Sequence, residues 1–353
     1  MGSEKIVGDE TAAADPAGFK PLRLILMGTG PFAVPAFEAL CDRGHQIALV
    51  VTRPAREVKS RKGPPPSPVR EFAAARRFDV YDPPSINTPD AIEHLRFFAA
   101  DLLVVCDFGQ ILSNDALATA RLGGINLHGS LLPAYRGAAP VQWAVLSGDW
   151  VTGVSVIHMT PRLDGGPILA TAQTEIGRET SGELEQRLSR LGVEPTLRSV
   201  DELAAWDGVS PIGQLQDASK VSRAPRLDKA AGRIDWSKSA RQIDCHVRGM
   251  QPWPGAFTEL NWPDRPAMRI AVKAVTAIDE GATNGSPNGS TTSGQSAEPG
   301  TLIDEIELRV TTGDGLIRID RLQVAGRAEV SAEEFLRGHR LPILTRFGPA
   351  TAG

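Results

Sequence analysis

The chain has 353 residues, of which 41% are hydrophobic and 23% charged, and its formal net charge is −4. This length favours two domains with sizeable cores, and no apolar run reaches the ~20 residues that a membrane-spanning helix needs. The acidic balance excludes a globally basic protein, so any RNA contact must depend on local basic patches. Three widely spaced cysteines and six histidines without paired spacing indicate neither a disulfide framework nor a metal site, and they favour a reducing cytoplasm.

The N-terminal half alternates apolar runs with helical stretches. Continuous Val, Ile and Leu runs predict buried strands at Leu22–Met27, Ile47–Thr52, Leu102–Cys106 and Gly153–Met159, and Val34–Cys41 predicts a helix. Uninterrupted apolar strands that alternate with helices are typical of a parallel sheet covered on both faces. The predicted fold class is therefore α/β, and its ligands should bind beyond the carboxyl ends of the strands.

The C-terminal part has a different pattern. Amphipathic spacing predicts one helix over residues 181–205, and the segment 207–228, which is rich in Pro, Gly and Ser, predicts a linker. Residues 229–345 then contain short strand-like runs separated by turns, namely MRIAVKAV, IELRVTT and GLIRIDRLQV. Regularly spaced short strands favour a small β-barrel of the OB-like kind.

Two further segments are expected to be disordered. The first is an N-terminal extension, residues 1–20, which lacks the apolar region of a secretory signal. The second is an insertion at residues 281–298, which is rich in Gly, Ser, Thr and Asn and poor in apolar side chains. The predicted domains are thus an α/β domain at residues 21–206, the linker, and a barrel domain at residues 229–345.

Two short motifs near the predicted sheet carry little information. Gly28-Thr29-Gly30 follows a strand like a dinucleotide fingerprint, but the next strand ends without a carboxylate for a ribose, and Pro31 removes an N–H from the turn. We interpret this motif as a tight turn.

Asp107-Phe108-Gly109 matches the magnesium-binding triplet of protein kinases, but the rest of the kinase signature is missing from the sequence. It nevertheless follows a buried strand, where a pocket would form.

A longer pattern, GINLHGSLLPAYRGAAP, begins on an extended segment. The alternation of a strand places Asn126 and His128 on one side, and the chain then leaves as the loop Ser130–Pro133. A lone histidine on a strand is usually structural. Here an amide two residues away could donate a hydrogen bond to an oxyanion, while the histidine accepts and returns a proton. Asp164, on a later Gly-rich turn, could bring its carboxylate to His128. We predict that these side chains face one cleft.

These motifs carry a family resemblance. The stretch N-x-H-x-S-L-L-P-x-x-x-G, from Asn126 to Gly137, and L-D-x-G at residues 163–166 resemble the two motifs of formyltransferases that use 10-formyltetrahydrofolate. The resemblance implies that Asn126, His128 and Asp164 are catalytic. It implies that the folate is bound by Ser130, Leu131, Leu132 and Pro133. It also implies a Rossmann-like domain joined to an OB-like domain, with 10-formyltetrahydrofolate as formyl donor and no metal.

The flanking segments resemble those formyltransferases that act on methionyl-tRNA. RGAAPVQ at 136–142, GRIDW at 232–236 and QPWPGA at 251–256 match them in order and spacing, and the resemblance covers residues 22–341. It implies formylation of the α-amino group of initiator methionyl-tRNA in the cytoplasm, by a protein that we expect to be a monomer. One departure lies near the predicted pocket, because Asp107-Phe108 stands where Ala-Tyr is usual.

A tRNA substrate requires basic groups near the cleft. A loop that follows a predicted strand, on the side where the cleft should lie, contains Arg53, Lys59, Arg61 and Lys62. A charge run is usually a solvated surface, but here we expect phosphate contacts to the acceptor end of the tRNA. Further phosphate contacts are expected towards the C-terminus at Arg226, Lys229, Arg233 and Arg248.

Three alternatives stay open on the sequence. An enzyme that formylates an amine on a sugar nucleotide would share Asn126, His128 and Asp164. A glycinamide ribonucleotide formyltransferase would share them too, but it would lack the C-terminal barrel. A non-catalytic RNA-binding protein with a degenerate transferase domain is disfavoured because the three residues are intact.

Overall fold

The computed structural model describes residues 19–54, 67–261, 265–278, 297–343 and 345–348. Outside these ranges fall the N-terminal extension up to residue 18, the insertion up to residue 296, and the basic side chains Lys59, Arg61 and Lys62. Glu298, near the end of the predicted insertion, is described. Its backbone carbonyl accepts a hydrogen bond from the Thr301 hydroxyl at 2.6 Å, so the chain is anchored to the barrel at this residue.

A mixed sheet forms the centre of the N-terminal half. The strands described there are β1 Arg23–Gly28, β2 Gln46–Val51, β3 Val80–Tyr81, β4 Leu102–Cys106, β5 Gly124–His128, β6 Arg136–Gly137, β7 Val151–His158 and β8 Ile168–Glu175. All except β6 belong to one sheet, with the order β3-β2-β1-β4-β5-β7-β8. Strands β1 to β5 pair in parallel, which confirms the predicted α/β fold.

Strand β7 differs from the prediction in its direction. Its segment was expected to continue a parallel sheet, but β7 runs antiparallel to β5 and to β8. The connection between β7 and β8, residues 159–167, is too short to hold a crossover helix, and short connections join antiparallel strands. This connection therefore folds back beside β5, and it carries Asp164.

The sheet is covered on both faces by α-helices. The helices described in this half are α1 Val34–Asp42, α2 Pro68–Arg76, α3 Pro89–Phe97, α4 Asn114–Leu117, α5 Pro140–Ser147, α6 Ser181–Leu191 and α7 Val193–Ala205. The side chains of successive β1 residues point to opposite faces of the sheet. Leu24 and Leu26 belong to the buried cluster on one face, and Ile25 and Met27 belong to the cluster on the other. All four are completely buried, which explains the continuous apolar runs of the sequence.

Residues 181–205 form two helices, so the prediction of one helix was wrong. Pro195 has no N–H to donate to the carbonyl of Leu191, and its ring would clash with that carbonyl in a continuous helix. Helix α6 accordingly ends at Leu191 and α7 begins after Gly192. A Cβ atom on Gly192 would lie 2.8 Å from the side chain of Leu127, so a larger residue at this break would require Leu127 to shift.

An antiparallel barrel forms the C-terminal part. The elements of this part are β9 Arg223–Ala224, which lies outside the barrel, and then α8 Ala240–Gly249, β10 Phe257–Asn261, β11 Met268–Ile278, β12 Leu302–Asp304, β13 Arg309–Thr311, β14 Leu316–Val324, β15 Glu329–Ser331, α9 Ala332–Gly338 and β16 Arg346–Phe347. The sheet order is β12-β13-β14-β11-β10-β16, with β15 paired to β14. An antiparallel bridge between Thr301 and Arg346 joins the two ends of this sheet. The predicted OB-like barrel is confirmed.

The predicted linker contacts the α/β domain at several points. Strand β9 lies outside the barrel and pairs in parallel with β6. Helix α8 packs against the α/β domain, where the Ser181 hydroxyl donates to the Gly249 carbonyl at 2.9 Å and Arg178 pairs with Asp244 at 2.8 Å. The domain boundaries themselves stay a prediction.

Candidate active site

A cavity of about 400 Å³ lies beyond the carboxyl ends of β4 and β5. Its walls include residues 107–112, 126–129 and 162–164, three segments that are far apart in sequence, together with Glu185 from α6 and Arg226 from the linker. The volume falls within the range of ~300–1,000 Å³ that is usual for small-molecule sites. The location agrees with the expectation that ligands bind at this edge of an α/β sheet.

Asn126, His128 and Asp164 meet in this cavity. Asn126 and His128 lie two residues apart on β5, so strand alternation directs both side chains to the same side. The Asn126 amide donates to Asp164 Oδ1 at 3.3 Å, and His128 Nδ1 lies 3.8 Å from Asp164 Oδ2. The His128 and Asp164 side chains are only 6% and 10% exposed. The three side chains therefore lie together as the sequence predicted, while their catalytic roles stay a prediction.

The imidazole of His128 is oriented by the backbone. Its Nε2 atom lies 2.9 Å from the carbonyl oxygen of Tyr135. Since a carbonyl only accepts hydrogen bonds, Nε2 carries a proton in both charge states of the ring. Nδ1 is therefore the nitrogen that gains or loses a proton, and it faces Asp164.

Asp164 is held in a specific backbone geometry. Its φ of 48° lies in the left-handed region, which few non-glycine residues adopt. Besides the Asn126 amide, its carboxylate accepts a hydrogen bond from the Gly137 N–H at 2.9 Å. A Cβ atom on Gly166 would lie 1.8 Å from the backbone oxygen of His158. The glycine of the L-D-x-G motif therefore allows the loop to pass close enough to β7 to present Asp164.

The loop Ser130–Pro133 lies on another side of β5. Ser130 is completely buried, and its hydroxyl donates to the Ala134 carbonyl at 2.7 Å. The Ser155 hydroxyl donates to the Ser130 carbonyl and accepts from the Leu132 N–H. Residues 131–133 border a second cavity, of about 580 Å³, rather than the cavity that contains Asn126. These hydrogen bonds fix the end of β5 and hence His128, while a folate contact by this loop stays a prediction.

Two further carboxylates face the cavity. Desolvation raises the pKa of Asp107 to about 6, although Arg53, the Gly30 N–H and Arg226 act in the opposite direction. Desolvation, followed by the negative charge of Asp107, raises the pKa of Glu185 to about 7. The sequence pointed to Asp107, but Glu185 was missed because it is one of several polar residues on an ordinary amphipathic helix.

The predicted basic residues divide into two groups. Arg53 contacts the Gly109 carbonyl at the edge of the cavity, and Arg226 lines the cavity itself. Arg233 pairs with Glu259. Arg248 is 15% exposed and pairs with Asp244 at 3.0 Å, so its charge is used inside the protein. Lys229 is exposed.

The described ranges show neither a metal-binding cluster nor a membrane-spanning helix. Those ranges contain no group of three or more His, Cys, Asp or Glu side chains that could hold a metal ion. Among the described helices, none has the length and apolar character needed to cross a membrane.

Comparison with known proteins covers both domains. The profile described as "Formyl transferase" matches residues 22–200, and "Formyl transferase, C-terminal domain" matches residues 226–340. A methionyl-tRNA formyltransferase of Rhodopirellula baltica is 54% identical over 91% of this chain and 95% of its own length. One from Gluconobacter oxydans is 41% identical over 92% of this chain and 99% of its own length.

A solved structure shares the fold. The N-formyltransferase from Helicobacter canadensis, in complex with folinic acid and dTDP-3-aminofucose, has a TM-score of 0.59 and 15% sequence identity, and the match covers 84% of this chain and 98% of that one. Both domains of the chain match family profiles, and close relatives align over nearly the whole length. The chain belongs to the formyl transferase family.

Proposed function

We propose that the chain transfers the formyl group of 10-formyltetrahydrofolate to the α-amino group of methionyl-tRNA. One observation carries the proposal: Asn126, His128 and Asp164 converge on one cavity in a chain that is 54% identical to a relative named for this reaction. The C-terminal barrel adds support, since a glycinamide ribonucleotide formyltransferase would lack it.

The reaction needs charge stabilisation on one oxygen and movement of one proton. The amine nitrogen attacks the formyl carbon, a new C–N bond forms, and the bond from the formyl carbon to N10 of the folate breaks. Negative charge develops on the formyl oxygen during attack. One N–H of the Asn126 amide is used by Asp164, so the other is free to donate to that oxygen. Such a donor typically accelerates a reaction by ~10²–10³.

His128 moves the proton. The attacking amine loses a proton as the new bond forms, and N10 gains one as it leaves. Nδ1 can accept the first and return the second, because Nε2 stays protonated against the Tyr135 carbonyl. Asp164, 3.8 Å from Nδ1, stabilises the imidazolium between these two steps. No covalent bond to the protein is required.

We place the folate along the apolar wall of the cavity. Ile111 is 58% exposed and Leu163 is 48% exposed, and both line it. Exposed apolar side chains beside a polar catalytic group are suited to cover a flat ring system. The loop Ser130–Pro133 stays the second predicted folate contact.

We place the acceptor end of the tRNA beside Arg226, which lines the cavity, and Arg53, which contacts the Gly109 carbonyl at its edge. We also expect phosphate contacts from Lys59, Arg61 and Lys62, which lie outside the described residues. Preference for the initiator tRNA, a monomeric state and a cytoplasmic location complete the proposal.

The test is the identity of the formylated amine. The purified protein is incubated with 10-formyltetrahydrofolate and one amine at a time. The three amines are initiator methionyl-tRNA, glycinamide ribonucleotide and a nucleotide-linked amino sugar. We expect formyl transfer to methionyl-tRNA alone. Transfer to the amino sugar in preference to the tRNA would support the alternative enzyme and contradict the proposal.

A further inference from the structure

The linker contributes one side chain to the surroundings of Asp164. Gln216 Nε2 donates to the backbone carbonyls of Asp164 at 2.8 Å and Gly166 at 2.7 Å. Its Oε1 atom accepts from Arg136 Nε at 3.1 Å and Nη2 at 2.6 Å. Both N–H groups and the carbonyl oxygen of this amide are therefore used.

These contacts restrain Asp164 from two sides. Through Nε2, Gln216 fixes the direction of the peptide that follows Asp164, a residue in the left-handed region with φ of 48°. A non-glycine residue holds that conformation only where its surroundings determine it. Through Oε1, Gln216 fixes Arg136, whose neighbour Gly137 donates its N–H to the Asp164 carboxylate.

We propose that Gln216 is a positioning residue for formyl transfer, which holds the Asp164 carboxylate against Asn126 and His128. The inference rests on the function proposed above. It assigns the linker a part in the active site, in addition to joining the two domains. The distance in sequence is large, because Gln216 follows Asp164 by 52 residues.

The rest of the linker is anchored without the Gln216 side chain. The backbone of Gln214 exchanges two hydrogen bonds of 2.8 Å with Ile168, and the Ser222 hydroxyl accepts from the Tyr135 N–H at 2.9 Å. Strand β9 also remains paired with β6. Replacing the Gln216 side chain should therefore leave the linker in place and the protein folded.

The test compares two variants with a matched control. Gln216→Ala removes all four contacts, whereas Gln216→Glu keeps an acceptor for Arg136 but loses both donors to the carbonyls. Gln214→Ala is the control, because Gln214 is an exposed glutamine of the same segment whose backbone makes the contacts with Ile168. We measure kcat, KM for each substrate, and amide hydrogen exchange of the peptide that spans residues 160–168.

Both Gln216 variants should lower kcat by about 10- to 100-fold, since a misplacement of ~1 Å can cost ~10² in rate. KM for folate and for tRNA should change by less than about threefold, because other residues line the cavity. Exchange in residues 160–168 should rise in both Gln216 variants and stay unchanged in Gln214→Ala.

Three results would overturn the inference: a normal kcat in Gln216→Ala, a normal kcat in Gln216→Glu, or unchanged exchange in both variants. Normal activity in Gln216→Glu would contradict the role given to the two hydrogen bonds that Nε2 donates to the Asp164 loop. Exchange is measured without substrate, so it tests the link between Gln216 and Asp164 even if the wild-type protein fails to formylate methionyl-tRNA. That failure would contradict the proposed function instead.

Discussion

Replacing Asp164 with Asn should separate the charge of this residue from its shape. The carboxylate lies 3.8 Å from His128 Nδ1, and both side chains are at least nine-tenths buried. With an effective dielectric constant of ~20, the attraction between the carboxylate and an imidazolium at this distance is ~4 kcal/mol. If the imidazolium forms in the rate-limiting step, losing that attraction lowers the rate by about 10³.

Hydrogen bonding makes the substitution more damaging. The carboxylate accepts from the Asn126 amide and from the Gly137 N–H, one through each oxygen. An Asn side chain can accept only through its single oxygen, so one of these donors would meet an N–H group. A buried donor without an acceptor costs ~1–3 kcal/mol. We therefore expect a loss of at least about 10³ in the rate of transfer, together with a small loss of thermal stability.

The assay is single-turnover formyl transfer with both substrates bound, which isolates the chemical step. Asp115→Asn, at an exposed position on α4, serves as the control for charge removal and should keep the wild-type rate. A rate for Asp164→Asn within about tenfold of wild type would refute the reasoning, because it would show that neither the charge nor the paired acceptors of Asp164 contribute substantially to the transfer.

Two further predictions concern the cavity and the basic loop. Glu185 has its pKa raised to about 7 from 4.5, so the folded state keeps a proton that the unfolded state loses, and stability falls between about pH 4.5 and 7. The free energy of unfolding of Glu185→Gln should therefore rise relative to that of wild type as pH rises through this range. We expect a difference of about 1–2 kcal/mol between pH 4.5 and 8, after allowance for screening by cavity water, as measured by chemical denaturation. Parallel stability curves for the two proteins would contradict this prediction. Replacing Lys59, Arg61 and Lys62 with Ala should weaken binding of methionyl-tRNA and reduce the salt slope by ~0.7–0.9 per lost phosphate contact, with folate affinity unchanged as the control. An unchanged slope would show that this loop is only a solvated surface.

The strands that position the site could be predicted from the sequence, because the residue patterns that indicate them lie within each strand. Strand alternation placed Asn126 and His128 on one side of β5, and uninterrupted apolar runs indicated strands covered on both faces. One error was also local and avoidable: Pro195 already marks the break between α6 and α7. The direction of β7 was less accessible, since an apolar run predicts a buried strand but not the direction in which that strand pairs.

Apart from the approach of Asp164 to His128, which the motifs indicated, contacts between distant segments could not be predicted. Gln216 and Glu185 resemble many other polar residues in their neighbourhoods, and only the packing of the linker and of α6 brings them to the site. The orientation of the His128 ring by the Tyr135 carbonyl was equally hidden, because a backbone group leaves no signature in the choice of residue. These groups surround the site, whereas the motif residues are the ones to which we assign the chemistry.

The most direct test of the central claim follows a labelled formyl group from 10-formyltetrahydrofolate in a single turnover, with the wild-type protein and Asn126→Ala side by side. We expect wild type to place the label on the amino group of the methionine carried by initiator tRNA. We expect Asn126→Ala to do so ~10²–10³ times more slowly, because the donor to the formyl oxygen is lost. A wild-type protein that leaves the tRNA unlabelled, or an Asn126→Ala variant that transfers the label at the wild-type rate, would contradict the proposed function.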